Sequence, residues 1–510
     1  MNMTDSPLPL LEMRGIDKHF GGVHANKSVD LQLFRGEVLG LLGENGAGKT
    51  TLMNILFGMY QADAGTIAIE GRSVSNHTPA DALALGIGMV HQHFHLVPRH
   101  SVLENLMVGE PGRRGILDEA TARKRLHRIG SHYGLELDPA REVSELTVGE
   151  QQRLEIVKAL FRGAKILILD EPTSVLTPQQ TEGLFQAVRA MVADGVGVIF
   201  ISHKLHEVLS IVHHVAVMRR GEMVATVTND DSVTHRRLAE LMCGRELQPL
   251  TKPAVERGRA LLRLANIIVD GGRGHLPKLH DVSLNVHAAE IVGVAGVSGN
   301  GQRELAEVIA GVLMPSSGRI EVDSVLVDRA SPRIMQQHGV AYVPEDRIGD
   351  GLLTTLPLSD SMVLPRVHQS PFSRLGWLNG QAIRQFVKQQ IERFDIRGAG
   401  ISVRTGMLSG GNLQKALLAR ELAFNPLVLV ASQPTRGLDV AAVEFVHNRF
   451  LELRANGCGV LLISEDLEEL FALSDRILVM YEGRIVGDLE TKETTPTAIG
   501  LLMAGSTEAA

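Results

Sequence analysis

The chain has 510 residues and a formal net charge of −7, so its overall charge gives no reason to expect nucleic-acid binding as the main function. Hydrophobic residues make up 44% and charged residues 21%, which is ordinary for a globular protein with at least two cores. The two cysteines, Cys243 and Cys458, argue against a disulfide scaffold and for a reducing compartment.

No secretory or membrane-spanning segment is predicted. The N-terminus, Met1–Leu11, has neither a basic region nor a long apolar stretch. The chain contains no uninterrupted apolar run of about 18 residues, the length that a bilayer span needs. If the protein works at a membrane, we therefore expect partners to hold it there.

A glycine-rich segment follows the first strongly apolar run. Glu37–Leu42 predicts a buried strand, and Thr50–Gly58 predicts the helix after it. Between them, Gly43-Glu-Asn-Gly-Ala-Gly-Lys-Thr50 fits the phosphate-binding loop, in which backbone N–H groups surround phosphates. Lys49 offers a charge to the phosphates and the Thr50 hydroxyl a ligand to Mg²⁺. The nucleotide-binding residues predicted here are Gly43, Glu44, Asn45, Gly46, Ala47, Gly48, Lys49, Thr50 and Thr51.

The rest of the first half alternates strands with helices. Lys165–Leu169 and Val196–Ser202 predict buried strands, with a helix over Gln179–Ala193 between them. This alternation is typical of a mostly parallel sheet covered on both faces, an α/β fold. Leu10–Phe34 instead predicts antiparallel strands, and Arg123–Leu160 is rich in helix formers.

Two carboxylates, Asp170 and Glu171, follow the apolar strand that begins at Lys165. Such a pair alone is more often a helix cap. Downstream of a phosphate-binding loop it favours a catalytic role, with Asp170 in the magnesium shell and Glu171 polarising the attacking water.

The chain is written twice, as a duplication of roughly 250 residues. The boundary is predicted at residues 248–259, where Pro249 and Pro253 interrupt the periodicity. We therefore predict a first domain over 8–247, a linker over 248–259 and a second domain over 260–506. The segments that pair are Gly43–Gly48 with Gly296–Gly301, Leu146–Gly149 with Leu408–Gly411, and Asp170–Ser174 with Ser432–Arg436.

The second copy keeps the glycines and loses the charged groups. Loss of the phosphate cation, the magnesium ligands and the catalytic carboxylate together predicts a dead phosphate site. The replacements are Gln302 for Lys49, Arg303 for Thr50, Glu345 for Gln92, Ser432 for Asp170, Gln433 for Glu171 and Glu465 for His203.

These motifs, with Leu146-Thr-Val-Gly-Glu-Gln-Gln152 as a signature loop, resemble the ABC ATPase superfamily over nearly the whole chain. The resemblance implies a parallel core with an antiparallel and a helical subdomain in each of two tandem P-loop domains. It implies that His203 is the switch histidine and that Gln92 senses magnesium and contacts the transmembrane partner. Phe20 matches the aromatic residue that stacks on adenine, although a phenylalanine here could equally belong to the core.

Proteins of this superfamily sandwich ATP between the phosphate loop of one domain and the signature loop of the other. The resemblance therefore implies that Ser409, Gly410, Gly411 and Asp439 complete the intact first phosphate site. The first copy carries Val148 and Thr177 where the second has Gly410 and Asp439. The departures thus gather on one composite site and spare the other.

Two functions compete. A short linker and one intact site favour an importer subunit at the cytoplasmic face of the membrane, held by two transmembrane permease subunits and served by an extracytoplasmic substrate-binding protein. A soluble tandem ATPase acting on ribosomes or nucleic acid is the alternative. Within importers the chain resembles the ATP-binding proteins for simple sugars and nucleosides. Met89–Val97 and Ala431–Asp439 lean towards nucleosides.

Overall fold

The structure is a computed structural model of the chain. It describes residues 8–75, 77–91, 94–109, 118–173, 176, 178–202, 204–230, 232–246, 250, 252–271, 278–398, 400–503 and 505. The chain divides into two compact units, Met1–Leu247 and Gln248–Ala510.

The first unit combines two sheets with helices. Its strands are β1 Leu11–Phe20, β2 Val23–Leu33, β3 Val38–Gly43, β4 Ala64–Ile69, β5 Arg72–Val74, β6 Ile87–Val90, β7 Ile166–Asp170, β8 Gly197–Ile201, β9 His214–Arg219 and β10 Glu222–Thr228. Its helices are α1 Lys49–Leu56, α2 Pro79–Ala84, α3 Val102–Met107, α4 Glu119–Tyr133, α5 Val148–Phe161, α6 Pro178–Ala193, α7 Leu205–Ile211 and α8 His235–Cys243.

The larger sheet of this unit has the order β10-β9-β3-β8-β7-β6. Five of its strands run parallel to one another, namely β9, β3, β8, β7 and β6. The sixth strand, β10, lies at one edge and is antiparallel to β9. Every residue of β3 and β8 is buried, as expected for strands covered on both faces. The second sheet, β2-β1-β4-β5, is antiparallel throughout. The carboxyl ends of β3 and β7 therefore lie at the same edge of the parallel sheet.

The second unit repeats this plan. Its strands are β11 Ala260–Val269, β12 Leu279–His287, β13 Ile291–Ala295, β14 Ser317–Val322, β15 Val325–Leu326, β16 Val340–Val343, β17 Ser373–Arg374, β18 Trp377–Leu378, β19 Val428–Ser432, β20 Gly459–Ile463, β21 Arg476–Tyr481 and β22 Arg484–Glu490. Its helices are α9 Gln302–Ile309, α10 Pro332–Gln337, α11 Leu358–Val363, α12 Gly380–Arg393, α13 Gly410–Leu422, α14 Val440–Ala455, α15 Leu467–Leu473 and α16 Pro496–Met503.

The sheet orders of the second unit, β16-β19-β20-β13-β21-β22 and β12-β11-β14-β15, match those of the first. The predicted α/β fold with two tandem P-loop domains is confirmed, including the antiparallel strands at the start of the chain. Two features go beyond the prediction: a π-helical turn at Arg347–Gly351 and a small hairpin formed by β17 and β18. None of the described helices combines the length and the hydropathy that a membrane span requires.

Candidate functional site

The first phosphate loop connects the buried strand β3 to the helix α1. Gly48 caps α1 with φ of 102°, and a Cβ atom there would stand 2.3 Å from the carbonyl oxygen of Ala25. Only glycine fits this position, so the sequence choice is steric as well as conformational. The loop delivers the N-terminus of α1 to the edge of the sheet where β7 also ends, and a helix N-terminus of this kind attracts anions.

Lys49 is the first residue of α1, and its ammonium group turns back onto the loop. Nζ donates hydrogen bonds to the carbonyl oxygens of Gly43 at 2.7 Å and Glu44 at 3.1 Å. Thr50 and Thr51 follow in the same helical turn. The charge and the hydroxyl groups that a nucleotide needs are thus held at one end of a single helix.

These groups line a cavity of about 730 Å³, a size typical of small-ligand sites. Nucleotide-binding residues from the prediction and residues not anticipated line it together. They are Phe20, Val23, His24, Ala25, Lys27, Asn45, Gly46, Ala47, Gly48, Lys49, Thr50, Thr51, Asp170, Glu171 and Arg220.

Asp170 ends β7 at the cavity, and its surroundings disfavour a bare negative charge. Burial, reinforced by the neighbouring Glu171 carboxylate and opposed by Lys49, raises the pKa of Asp170 to about 6 from 3.8. A divalent cation at this position would offset that cost, and carboxylate and hydroxyl oxygens are the ligands that Mg²⁺ prefers. The donors present, Asp170 and Thr50, therefore fit a magnesium site.

Glu171 has φ of 49°, a left-handed conformation that is uncommon for residues other than glycine. Its N–H donates to the carbonyl oxygen of Ile201 on β8 at 2.9 Å, which ties the residue to the neighbouring strand. A costly backbone conformation at a cavity carboxylate is typical of a functional site.

Phe20 lies on the rim of the cavity. Its side chain is 43% exposed, and its ring contacts Tyr60 edge to face with centroids 5.3 Å apart. The alternative that Phe20 belongs to the core is therefore wrong. An exposed aromatic ring beside a phosphate loop can stack on a planar base. The stacking of Phe20 on adenine stays a prediction.

Sequence reasoning missed three polar residues of this cavity, His24, Lys27 and Arg220. His24 and Lys27 lie on β2, which the sequence predicted only as an antiparallel strand without a role. Arg220 stands in the tight turn between β9 and β10 with φ of 51°. Its segment, Arg220-Gly-Glu222, recurs in the second half as Glu482-Gly-Arg484, and this repetition was the only signal of it in the sequence. Two predicted residues, Gln92 and His203, lie outside the residues that the structure describes.

The second phosphate loop keeps its shape without a cation. Gly301 caps α9 with φ of 97°, as Gly48 does in the first unit. The nearly buried Gln302 amide donates from Nε2 to the carbonyl oxygen of Val297 at 3.1 Å, the same type of contact that Lys49 makes with Glu44. Arg303 pairs instead with Glu307 along its own helix at 2.7 Å. The loop is stable as backbone, and its side chains no longer supply a charge to phosphates.

The acidic strand end is also neutral in the second unit. Ser432 ends β19 and is buried, and Gln433 follows with φ of 48°. Its N–H donates to Ile463 at 2.8 Å, as Glu171 does to Ile201. The unusual backbone is therefore the same in both units, while an amide in the second stands where the first has a carboxylate.

The two signature turns differ at their helix N-termini. In the first unit Thr147 forms a capping box with Glu150, whose carboxylate accepts from the Thr147 N–H at 2.8 Å and pairs with Arg141 at 2.7 Å. The hydrogen bond from the Thr147 N–H is the largest effect holding the pKa of Glu150 below its usual value, and this carboxylate occupies the position where a phosphate would benefit from the helix dipole.

In the second unit, Ser409 precedes α13 and its hydroxyl accepts from the neutral Asn412 amide at 2.8 Å. The Ser409 hydroxyl therefore has no carboxylate partner among the described residues. Asp439 caps the next helix, α14, by accepting from the Ala442 N–H at 2.9 Å, and a Cβ on Gly411 would stand 4.0 Å from its carboxylate. The structure thus brings Ser409, Gly410, Gly411 and Asp439 together within the second unit.

Arg347 is a further residue that sequence reasoning did not single out. Its guanidinium donates from Nη1 to the carbonyl oxygen of Gly410 at 3.3 Å and from Nη2 to that of Arg436. It therefore links the π-helical turn after β16 to the signature turn and to the loop before α14. Arg347 lies in none of the sequence motifs, and the nearest motif position is Glu345, which stands where the first copy has Gln92.

The sequence matches the family described as ABC transporter over residues 26–174 and 279–436. It is 42% identical to the nucleoside import ATP-binding protein NupA of Lactococcus lactis subsp. cremoris, over 97% of this chain and 98% of that protein. The guanosine import ATP-binding protein NupO of Bacillus subtilis is 43% identical, over 98% of each chain. The glucose import ATP-binding protein TsgD13 of Haloferax volcanii is also 43% identical, over 98% of this chain and 96% of that protein.

Among solved structures, one described as RNase-L Inhibitor aligns with a TM-score of 0.63 over 98% of this chain and 93% of that chain. Its sequence is 19% identical, so it shows the shared tandem fold alone.

Proposed function

Because the chain belongs to the ABC transporter family of ATPases, we propose that it is the ATP-binding subunit of an importer. In this proposal, MgATP binding and hydrolysis drive nucleoside uptake through two separate permease subunits at the cytoplasmic face of the membrane. An extracytoplasmic binding protein delivers the cargo to them. Residues 8–247 and 260–506 are the two nucleotide-binding domains, with residues 248–259 as their linker.

The observation that carries the proposal is one intact set of catalytic groups within a chain that import ATP-binding proteins match from end to end. Lys49, Thr50, Asp170 and Glu171 line one cavity in the first unit. Their counterparts in the second unit are neutral or paired elsewhere. An ATPase with a single working phosphate site fits an energy-supplying subunit.

The cavity residues act on the nucleotide in distinct ways. Lys49 moves from the loop carbonyls to the β- and γ-phosphates, while the loop N–H groups bind their oxygens. The Thr50 hydroxyl, Asp170 and Gln92 would hold Mg²⁺, which would neutralise phosphate charge when bound. Glu171 polarises the attacking water, His203 contacts the reacting phosphate, and Phe20 stacks on adenine.

We further propose that ATP bound by the first domain is completed by Ser409, Gly410, Gly411 and Asp439 of the second. The two signature turns support this choice. Among the described residues the Ser409 hydroxyl is bonded to the neutral Asn412 amide, whereas the Thr147 hydroxyl and N–H are bonded to the Glu150 carboxylate. A γ-phosphate would accept a hydrogen bond from Ser409 and would be repelled by the charge of Glu150.

Nucleosides are the favoured cargo, and simple sugars are the second candidate. The relatives with about 40% identity include import proteins of both kinds, and their identities do not separate them. The segments Met89–Val97 and Ala431–Asp439 resemble the nucleoside branch, and this resemblance decides the order. The cargo itself is bound by other subunits, so the ATPase site carries no chemical record of it.

The test is affinity purification of the tagged chain from detergent-solubilised membranes of its host, followed by mass spectrometry. We expect one or two polytopic membrane proteins to copurify, and nucleoside uptake to fail when their genes are deleted. Recovery of ribosomes or nucleic-acid enzymes without any membrane protein would overturn the importer proposal in favour of a soluble tandem ATPase. Uptake of a sugar alone through the recovered permease would correct the cargo.

A further inference from the structure

The hairpin of β17 and β18 in the second unit presents an apolar tip to solvent. Leu375 is 94%, Trp377 82% and Leu378 63% exposed. Trp377 is the only tryptophan of the chain. Three large apolar side chains exposed within four residues are more than the single exposed apolar residues of an ordinary surface, and they indicate an interaction site. An aromatic ring with a polar N–H also suits a boundary between water and an apolar phase.

The tip is built into the fold. Within the hairpin, Arg374 pairs with Trp377 across the two strands. Just before it, the buried Phe372 packs edge to face on Phe386 with ring centroids 5.0 Å apart. The Asn379 N–H donates to the Phe372 carbonyl oxygen at 2.7 Å, which closes the base of the hairpin. The exposed residues thus project from an anchored support.

Leu375 adds an energetic argument. Its φ is 50°, in the left-handed region that branched and bulky residues avoid at a cost of about 1–2 kcal/mol. A leucine that is both exposed and in an unfavourable backbone conformation gains nothing within this unit. Burial of the Leu375 side chain against a partner would offset the cost of this backbone conformation.

The charges around the tip identify the kind of partner. Between Asp360 and Glu392 the sequence contains no acidic residue, in a chain whose net charge is −7. The same stretch contains Arg366, His368, Arg374, Arg384 and Lys388. Within the described part of the chain no ion pair engages Arg374, Arg384 or Lys388, and all three are exposed.

Arg384 also lies near the hairpin in space. Its Nη1 atom stands 3.3 Å from where a Cβ on Gly380 would be, two residues beyond the end of β18. Arginine and lysine beside tryptophan and leucine form the combination that binds the interface of an anionic bilayer, with about 1 kcal/mol for each basic residue near the surface.

We propose that the tip formed by Leu375, Trp377 and Leu378 inserts into the interface of an anionic lipid bilayer, with Arg374 and Arg384 contacting the headgroups. The insertion is shallow and reversible, since three apolar residues give marginal membrane affinity by themselves. It orients the second unit at the membrane surface independently of the permease contacts in the proposed function.

The single tryptophan makes the test direct. The full-length protein is mixed with protein-free vesicles of phosphatidylglycerol and phosphatidylcholine in equal parts, or of phosphatidylcholine alone. We expect flotation with the anionic vesicles, a blue shift of Trp377 emission, and weaker binding at high salt. Leu375→Ser with Leu378→Ser lowers the partition coefficient by about tenfold or more, since two apolar side chains no longer enter the interface.

Two further variants separate the contributions. Arg374→Gln with Arg384→Gln keeps Trp377 and lowers binding to the anionic vesicles by about tenfold, with no effect on phosphatidylcholine. Val325→Ser with Leu326→Ser removes two half-exposed apolar residues from another hairpin of the same unit and leaves binding unchanged. ATP hydrolysis in the absence of lipid stays at the wild-type rate in all of them, which shows that each variant folds.

Three results would overturn the proposal. Flotation with no change in the emission of Trp377 would mean that the tip does not enter the lipid. A blue shift that grows with protein concentration and needs no vesicles would identify a second copy as the occupant. Binding to native membranes that is lost after protease treatment, with none to protein-free vesicles, would identify a membrane protein instead.

Discussion

At the residue scale, Asp170 shows what the candidate site costs the fold. Its pKa of about 6 lies above the ordinary 3.8, because burial and the Glu171 carboxylate disfavour its ionised form. The folded protein therefore holds this proton more tightly than the unfolded chain does. The free energy of unfolding falls as the pH rises from about 4 to about 6, and at higher pH the bare carboxylate costs at most about 3 kcal/mol.

We predict that Asp170→Asn raises the melting temperature of the nucleotide-free protein at about pH 7.5, in the presence of EDTA, while abolishing hydrolysis. The stabilisation should be about 1–3 kcal/mol and should shrink as the pH is lowered towards about 5, where the wild-type carboxyl is already protonated. Thermal denaturation across this pH range measures it. Asp194→Asn, at an exposed carboxylate whose pKa is lowered by hydrogen bonds with His132 and Tyr133, is the control of opposite sign and should lower the melting temperature at about pH 7.5. A melting temperature lowered by Asp170→Asn at every pH would contradict the interpretation.

At the element scale, the helices α5 and α13 occupy equivalent positions in the two units but differ in the charge of their first turns. The hydroxyl and the N–H of Thr147 donate to Glu150, whereas Ser409, within the residues that the structure describes, accepts from Asn412 and has no carboxylate partner. If only the second turn meets ATP, only its hydroxyl contributes a hydrogen bond to a charged phosphate, of about 1.5–3 kcal/mol.

We predict that Ser409→Ala lowers ATP turnover by about tenfold or more, while Thr147→Ala changes it by less than about twofold. Both changes remove one hydroxyl from a helix N-cap, so each serves as the control for the other. Thr147→Ala should show instead in stability, with a loss of about 1 kcal/mol from its capping box. Steady-state ATPase rates with thermal melts decide the matter, and equal losses of turnover would refute a single working composite site.

Arg347 joins three elements of the second unit, since it donates to Gly410 and to Arg436 from the π-helical turn. We predict that Arg347→Ala lowers kcat for ATP by about tenfold with little change in KM, because it loosens the signature turn without touching the loop that binds nucleotide. Arg347→Lys should not restore the rate, since the guanidinium reaches the carbonyl oxygens of two separate segments with two different nitrogens, Nη1 and Nη2, and lysine has one nitrogen and no rigid planar fork. Recovery with lysine, or a change in KM alone, would rule out this positioning role.

At the scale of the whole molecule, the sequence predicted the buried strands and the phosphate loop, where a local residue pattern reflects the local structure directly. The strands β3, β7 and β8 are buried on both faces, and their sequences are therefore continuous apolar runs without polar alternation. The loop before α1 requires glycine at position 48 for steric reasons. Because the sequence is duplicated, each strand and helix of one half could be checked against its counterpart in the other half. For this reason the α/β class and the grouping of Lys49, Thr50, Asp170 and Glu171 could be predicted.

Other features depend on contacts between segments that are distant in the sequence. Lys27 and Arg220 enter the cavity because β2 and the turn after β9 pass beside the phosphate loop, which no local pattern records. The contacts of Arg347 span more than sixty positions to Gly410. The exposed state of Trp377 could not be predicted either, since a tryptophan is on average largely buried. Such features become visible only when the chain is folded.

The two units give the last prediction, which concerns how many nucleotides one chain holds. The first phosphate loop has Lys49 and an acidic pair that fit MgATP, whereas in the second Gln302 bonds to the loop and Arg303 pairs with Glu307. The second loop can still offer backbone N–H groups, but it lacks the charges that hold a triphosphate with Mg²⁺.

We predict that Glu171→Gln binds a single MgATP per chain with turnover reduced by about a hundredfold or more, since binding groups remain and the carboxylate that polarises water is lost. Equilibrium dialysis with labelled ATP gives the stoichiometry. In the double variant with Lys49→Ala, binding should disappear, because no second site takes over. Two nucleotides per chain, or one that persists when Lys49 is removed, would mean that the second loop is a nucleotide site despite its neutral residues.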